Sequence, residues 1–428
     1  MLQEQIELVF DWYEKKKISR LEVMLKLDIR ERRFFYLLKR YRENKSSLGS
    51  FGKRAYTGAN KTKLAVKVEE AIRKELLKEQ EIIRNPDIPT NRYNYAHVRD
   101  EVERLYGFSI SDETVRKRAL KWGFCVLGYK KTRDKSHDRM ILTDKVGVIL
   151  QHDSSVHLFA PHAPTKWHLI TTIDDYSRMV VFAKFVQDET AWDHILSIKA
   201  VCKKYGIPAN YYVDNHSIFR FVERLESYWR TPRIKHSDVL TQWETVLKVL
   251  GVGVFHALSP QAKGKIERPY RWMQDRVVRR CAKEKVTTIE RGQQILDEEI
   301  YRYNFKTVHS TTHEIPEIRF ERAKNKGQSA FKEYKLPEPL KASEDVFCLR
   351  EIRKVGPYHT ISWRNRPLDV PKFIPMGATI LLHIIPDKDK PQVRMWYQNE
   401  LVNVLLLAPT NLPLVKTILE EEKKDQKD

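Results

Sequence analysis

The chain has little of what would mark a secreted, zinc-binding or membrane protein. It holds four cysteines in 428 residues, Cys125, Cys202, Cys281 and Cys348, far apart and with no Cys-x-x-Cys pair. That spacing argues against a zinc finger or a disulfide-stapled scaffold and predicts reduced, structural thiols. No apolar run approaches the ~20 residues of a membrane-spanning helix, and the stretch ATILLHII is too short. The opening MLQEQIELVFDWYEKKK lacks the apolar core of a secretory signal. An intracellular protein is therefore expected, cytoplasmic and nucleoid-associated in a bacterial-type cell, with no membrane partner. Acidic residues are outnumbered: 57 Asp and Glu face 78 Lys and Arg, a formal net charge of +21. Such an excess favours a polyanionic partner.

What is present begins with helical patterning. Ile6, Val9, Phe10 and Tyr13 recur at helical spacing, and Ser19 precedes a short helix carrying Leu21, Met24 and Leu25. RERRFFYLLKRYRE then directs Phe34, Leu37, Leu38 and Tyr41 inward and sets Arg30, Arg32, Arg33 and Arg40 on its other faces. A short helix, a tight turn and a basic helix make a helix-turn-helix over residues 1–45, with duplex DNA as the expected partner. Residues 46–62 read as a basic linker. A second block, 63–125, repeats the layout: a helix ends at Gly107, Ser111 or Asp112 caps the next, and that helix bears Arg116, Lys117, Arg118 and Lys121. Residues 126–144 form a basic connector.

The centre of the chain reads as an α/β core over 145–325. VGVIL is a short buried strand running toward Asp153, expected at the strand's exit from the core. KWHLITTID and MVVFAKFV add two antiparallel strands through the turn DDYSR, where Asp174 and Asp175 read as turn formers. Asp188 is placed to cap a helix ending at Tyr205, and the strand NYYVD closes on Asp214. Laid parallel beside the first strand, it brings Asp153 and Asp214 to adjacent carboxyl ends, where open α/β sheets hold ligands. The helix TQWETVLKVLG, the strand GVGVFHAL and a long helix with Glu267 in its first turn follow. Three antiparallel strands, then helix, strand, helix, strand, helix is the order of a ribonuclease-H-like fold. His152 alternates away from Asp153 and reads as a packed histidine, while His216 and His256 stand where a phosphate or water contact is open to them.

The segments QHDSSVH, TTIDDYSR, YVDNHSIF and ALSPQAKGKIER resemble the core of the retroviral-integrase superfamily of DDE transposases. Within it the chain is most similar to bacterial insertion-sequence transposases with N-terminal helix-turn-helix domains. The resemblance implies that Asp153, Asp214 and Glu267 are catalytic carboxylates holding two Mg²⁺ ions, with Mn²⁺ able to substitute. It implies Asp153 as the bridging ligand, 3′-end cleavage and strand transfer as the activity, and a homo-oligomer on paired transposon ends. The residues alone say less: three converging carboxylates repel one another unless cations intervene. Paired divalent ions suit phosphodiester chemistry because they activate the incoming oxygen and stabilise the departing one. Arg271, one turn beyond Glu267, and Lys263 and Lys265 before it are candidate phosphate contacts. Two departures stand out. His216 replaces the glycine many relatives carry after Asp-Asn, and the Asp214–Glu267 interval is longer than in retroviral integrases, with the excess around 219–240.

Beyond a linker at 326–344, several short β-rich segments within 345–410 predict a small SH3-like barrel, followed by a charged tail, 411–428. Arg350, Arg353, Lys354, Arg364 and Arg366 leave a DNA or a protein contact equally open there. The fold class expected is thus multidomain α/β: N-terminal all-α DNA-binding domains, a ribonuclease-H-like core and a C-terminal β-barrel. Two rival functions remain, a nuclease of the same fold that only hydrolyses and a domesticated, non-catalytic DNA-binding regulator.

Overall fold

The computed structural model describes residues 3–27, 29–43, 64–125, 143–214, 241–256, 264–363, 366–387 and 391–406. The chain divides into two compact units, Met1–Glu70 and Ala71–Asp428. In the first, α1 (Gln3–Glu14), α2 (Arg20–Leu27) and α3 (Glu31–Glu43) enclose Phe10, Val23, Phe34, Leu37, Leu38 and Tyr41. The spacing marked those of α1 and α3, whereas on α2 Val23 and Leu27 face in and the expected Leu21 and Leu25 are exposed. Ser19 and Glu22 cap α2 reciprocally: Glu22 N donates to Ser19 Oγ (3.3 Å) and Ser19 N to Glu22 Oε2 (2.6 Å). Arg30 precedes α3 rather than riding on it. Arg32 and Arg33 are exposed, Arg33 lying over the Tyr36 ring at 5.2 Å, and the Arg40 side chain lies outside the described residues.

The second unit opens with most of α4 (Val66–Arg84), then α5 (Tyr95–Tyr106) and α6 (Asp112–Lys121). Asn94 caps α5 by accepting from His97 N (3.0 Å), and Gly107 ends it at φ +71°. Ser111, of the two candidates, caps α6. The core sheet holds β1 (Ile149–His157), β2 (Trp167–Asp174), β3 (Val180–Val186), β4 (Asn210–Val213) and β5 (Gly253–His256) in the order β3-β2-β1-β4-β5. The first three are antiparallel, and β4 and β5 add in parallel to β1, as the element order predicts.

Helices cover both faces. On one, α7 (Ala191–Tyr205) and α8 (Gln242–Val249) pack Ile195, Ile198, Trp243 and Val246 onto Leu150, Tyr211 and Val213. On the other, α9 (Gly264–Lys283) and α10 (Ile289–Phe305) pack Met273, Val277, Ile295 and Leu296 onto Leu169, Ile173 and Phe185. Thr190, not Asp188, caps α7, because its Oγ1 accepts from Asp193 N (3.2 Å). No helix among the described residues is long and apolar enough to cross a membrane.

After α11 (Pro316–Asn325) come β6 (Leu349–Lys354), β7 (Thr360–Trp363), β8 (Arg366–Asp369), β9 (Thr379–Ile385), β10 (Gln392–Tyr397) and β11 (Glu400–Leu406). The expected SH3-like barrel is not established by their hydrogen bonding among the described residues. Four strands form an open sheet, β11-β10-β9-β6, while β7 and β8 pair only with each other among the described residues. This sheet is stitched to α8: Gln242 Nε2 donates to Arg350 O (2.8 Å) and Arg350 N to Gln242 Oε1 (2.7 Å). The Arg350 guanidinium turns inward onto Asp345 O (2.8 Å), so it is not presented outward as the sequence reading allowed.

Candidate active site

In the parallel pairing of β1 and β4, Gln151 lies opposite Tyr212. Asp153 stands two residues further on within β1, so strand alternation sends it to the sheet face that carries Gln151, and Asp214 stands two residues past Tyr212, immediately beyond the end of β4. Both are half-buried. Asp153 differs from expectation in one respect. It does not end its strand: β1 continues to His157 and pairs Asp153 with Thr171 on β2. The pairing with β4 has ended just before, its last pair being Gln151 and Tyr212. The two carboxylates therefore mark the point where β1 and β4 part.

Helix α9 crosses this face. Gln274 Nε2 donates to Ser155 Oγ (3.0 Å), two residues past Asp153. One turn back along α9, Tyr270 is buried, and its phenol is pushed well up, first by burial and then by the Asp153 carboxylate, with Glu189 and Asp214 adding. The charges of both aspartates thus reach the Tyr270 phenol. Glu267 lies three residues earlier, in the first turn of α9, about 4.5 Å along the helix axis from Tyr270. Its side chain, like that of Lys265, lies outside the described residues, as do Lys263, His216 and the whole of 219–240. Arg271 is exposed on α9. The described residues contain no group of three His, Cys, Asp or Glu side chains that could hold a metal ion. The two aspartates supply hard oxygen donors of the kind Mg²⁺ takes, short of a third.

His256 meets Asp214 from β5, its Nδ1 3.4 Å from Asp214 O and its Nε2 3.3 Å from Glu244 Oε1. It therefore touches the main chain of a site residue. On α6, Arg116 and Lys117 lie 3.4 and 3.7 Å from Glu113, Lys121 is exposed and Arg118 is half-buried.

Two features escaped the sequence reading. Asp174 and Asp175 do more than form a turn. Both are buried; Asp174 accepts from Gly147 N (2.8 Å), Ser177 N (2.8 Å) and Ser177 Oγ (2.6 Å), and Asp175 from Gln151 Nε2 (2.5 Å) and Thr143 Oγ1 (2.9 Å). The cations of α9 also turn inward. Arg276 pairs with Asp100 on α5, Arg279 with Glu79 on α4, and Lys283 Nζ lies 3.5 Å from Glu75 Oε2. The helical block is thereby bound through buried ion pairs to the helix that carries Glu267. No sequence signal marks these pairings, because their partners lie far along the chain.

No family model matches the chain. It is 26% identical over 268 residues to the transposase y4bF of Sinorhizobium fredii (strain NBRC 101917 / NGR234), covering 62% of this chain and 53% of that protein. It is 28% identical over 160 residues to the transposase for insertion sequence IS1202 of Streptococcus pneumoniae, covering 37% of this chain and 32% of that one. The alignments thus span about half the length of the first relative and about a third of the second. Among solved structures, the catalytic core domain of BIV integrase aligns with a TM-score of 0.30 at 20% identity, over 42% of this chain and 99% of that one. The HTLV-2 integrase catalytic core domain in complex with magnesium aligns with a TM-score of 0.30 at 14% identity, over 42% and 99%.

Proposed function

From the chain's similarity to DDE transposases of the retroviral-integrase superfamily, we propose that it binds the ends of a transposable element, frees their 3′ ends and joins them to target DNA. The observation that supports this most is the pair Asp153 on β1 and Asp214 just past the end of β4, its parallel neighbour, with α9 crossing the sheet at Ser155, two residues past Asp153. Glu267, one turn before Tyr270, is the third carboxylate of this reading. The three carboxylates would hold two divalent cations, Mg²⁺ or Mn²⁺, which activate the attacking oxygen and stabilise the leaving one in phosphodiester chemistry. Each carboxylate contributes charge to one shared centre, so losing one disables the whole rather than a fraction of it. Arg271, Lys263 and Lys265 hold the DNA backbone beside them, since phosphate contacts fix position.

The remaining assignments follow the same reading. The helix-turn-helix blocks, 1–45 and 63–125, grip the element's ends through Arg30, Arg32, Arg33 and Arg40 and through Arg116, Lys117, Arg118 and Lys121. Residues 145–325 are the catalytic core, 345–410 an accessory β module, and the acting form is a multimer on paired ends in the cytoplasm.

The test is joining of a pre-cut end oligonucleotide to plasmid in Mg²⁺ or Mn²⁺, beside a gel shift on the same oligonucleotide. Asp153→Asn, Asp214→Asn and Glu267→Gln should each abolish joining and leave end binding largely intact. A variant that joins at close to the unmutated rate removes its residue from the site.

A further inference from the structure

Behind Asp153, on the opposite face of β1, lies a buried row of polar side chains that the proposed chemistry does not use. Thr172 Oγ1 is 2.8 Å from His152 Nδ1, His152 Nε2 is 2.8 Å from His194 Nδ1, and His194 Nε2 is 2.8 Å from Glu189 Oε1. The other Glu189 oxygen is 3.2 Å from His168 Nδ1. Thr172, His152 and His194 are at most 1% exposed. His152 is also stacked on Trp243 of α8, the ring centroids 5.8 Å apart and the planes 12° from parallel.

The direction of the row is fixed at one end. An ionised carboxylate only accepts, so His194 Nε2 donates to Glu189. With both rings neutral, His194 Nδ1 accepts from His152 Nε2, and His152 Nδ1 accepts from the Thr172 hydroxyl. Burial opposes ionisation of Glu189, but hydrogen bonds from His168 and His194 outweigh it, Ser154 adds to them, and the carboxyl is held well below the usual range. His152 and Ser154 are the neighbours of Asp153 in sequence, and their side chains share the face opposite to it. The row therefore grips β1 on both sides of Asp153 and ties it to β2, α7 and α8. Packing alone does not call for this, since apolar residues of similar volume often fill such sites at no loss of stability. A polar row specifies position, because each hydrogen bond is satisfied only in one arrangement.

We propose that Thr172, His152, His194 and Glu189 are positioning residues that fix the β1 backbone at Asp153, so that its carboxylate meets Asp214 in the pose a divalent cation requires. The proposal rests on the reading of Asp153 as a site carboxylate. Outer partners of metal ligands typically cost 10–100-fold in affinity or activity when lost. Mg²⁺ demands near-ideal octahedral geometry, so a displaced carboxylate should harm Mg²⁺ more than the more tolerant Mn²⁺.

Two variants of the full chain test this: Thr172→Val, nearly isosteric and lacking only the hydroxyl donor, and His194→Gln. Five quantities are read: joining in Mg²⁺, joining in Mn²⁺, Mn²⁺ affinity of the protein bound to end DNA by electron paramagnetic resonance, gel-shift affinity for end DNA, and Tm. Mg²⁺-supported joining should fall about 10–100-fold, Mn²⁺-supported joining clearly less, and Mn²⁺ affinity should drop, while gel-shift affinity holds. Thr172→Val, which leaves His152 Nδ1 buried without its donor, should lower Tm but stay folded at the assay temperature. Equal losses in both metals that track Tm, or unchanged Mn²⁺ affinity, overturn the positioning role. Asp153→Asn in the same assay separates the two ideas. If it still joins, the reading of Asp153 itself is wrong. If it is inactive while the row variants behave as the unmutated protein, only the positioning proposal fails.

Discussion

Asp174 shows how a carboxylate's place in a sheet decides its work. It pairs with Leu150, which faces the α7–α8 core, whereas Asp153 pairs with Thr171 on the other face. Asp174 thus points away from the candidate site and into a cradle of three donors. One of them, the Gly147 N–H, comes from a backbone at φ +76°, where an added Cβ would strike the Phe331 ring at 2.5 Å. Burial pushes the Asp174 carboxyl up to about 6, against the lowering by Gly147 and Ser177. In an unfolded chain an aspartate ionises near ~3.9. The native state therefore keeps a proton that the unfolded chain has lost, and this group's stabilisation fades as pH rises from about 4 to 6 and stays lost above. Across that window the change is roughly 2–3 kcal/mol. In denaturant titrations, Asp174→Asn should lack that decline, and the folded variant should join end DNA at pH 7 within a few-fold of the unmutated rate. A hundredfold loss of joining would instead place Asp174 in the chemistry. At this scale the placement of Asp153 and Asp214 at neighbouring parallel strands was legible, because each follows an apolar run. The cradle was not, because Gly147 and Ser177 meet Asp174 only once the sheet has formed.

At the scale of elements, α9 was legible as a helix, but the fate of most of its basic residues was not. Its apolar residues at helical spacing mark the side that meets the sheet. Its basic residues carry no sign of their fate, yet Arg276, Arg279 and Arg280 are among the most buried side chains, at 5%, 2% and 1% exposed. Their carboxylate partners include residues of α4, α5 and α10 as well as Asp275 of α9 itself, 2.7 Å from Arg279, and Arg279 also donates to Arg92 O (2.7 Å). His97, buried among these cations, has its pKa lowered well below the ordinary value by burial and then by Lys283, Arg276, Arg279 and Arg280. Breaking such a contact from one side is the damaging case, because the partner is left buried and uncompensated. Arg279→Ala should destabilise the second unit by roughly 3–5 kcal/mol in chemical denaturation. Replacing both partners, Arg279→Met with Glu79→Met, should recover most of that loss, since an apolar pair removes both desolvated charges. A single-variant loss under about 1 kcal/mol, the range of exposed pairs, would show that the pair is not buried in solution. The C-terminal strands were legible one by one through their alternation, but closure was not. Whether strands close into a barrel depends on edge pairing, and β7 and β8 pair with each other.

For the whole molecule, the formal charge of +21 does not distinguish cations facing solvent from cations held inside. Arg276, Arg279 and Arg280 belong to the second kind, so fewer cations face outward than composition implies. Under the reading proposed above, what remains for DNA includes Arg32 and Arg33 on α3 in the first unit, and Arg116, Lys117 and Lys121 on α6 in the second, all exposed. Two binding units on one chain make the second contact intramolecular, so the affinity of the whole exceeds that of either part without any new contact. Salt dependence counts the phosphates involved, because each neutralised phosphate releases condensed counterions and adds about one to the slope of log K against log salt. Arg32→Gln with Arg33→Gln should therefore lower that slope by about two, and Arg116→Gln with Lys117→Gln by about two more, with all four together losing about four. Arg279, held internally, should leave the slope unchanged in any variant that still folds. Fluorescence anisotropy on end DNA between about 50 and 200 mM salt, the range over which such slopes are steep, measures all of these. If the α3 and α6 variants keep the full slope, those helices do not contact the backbone, and the charge that draws DNA to this chain lies elsewhere on its surface.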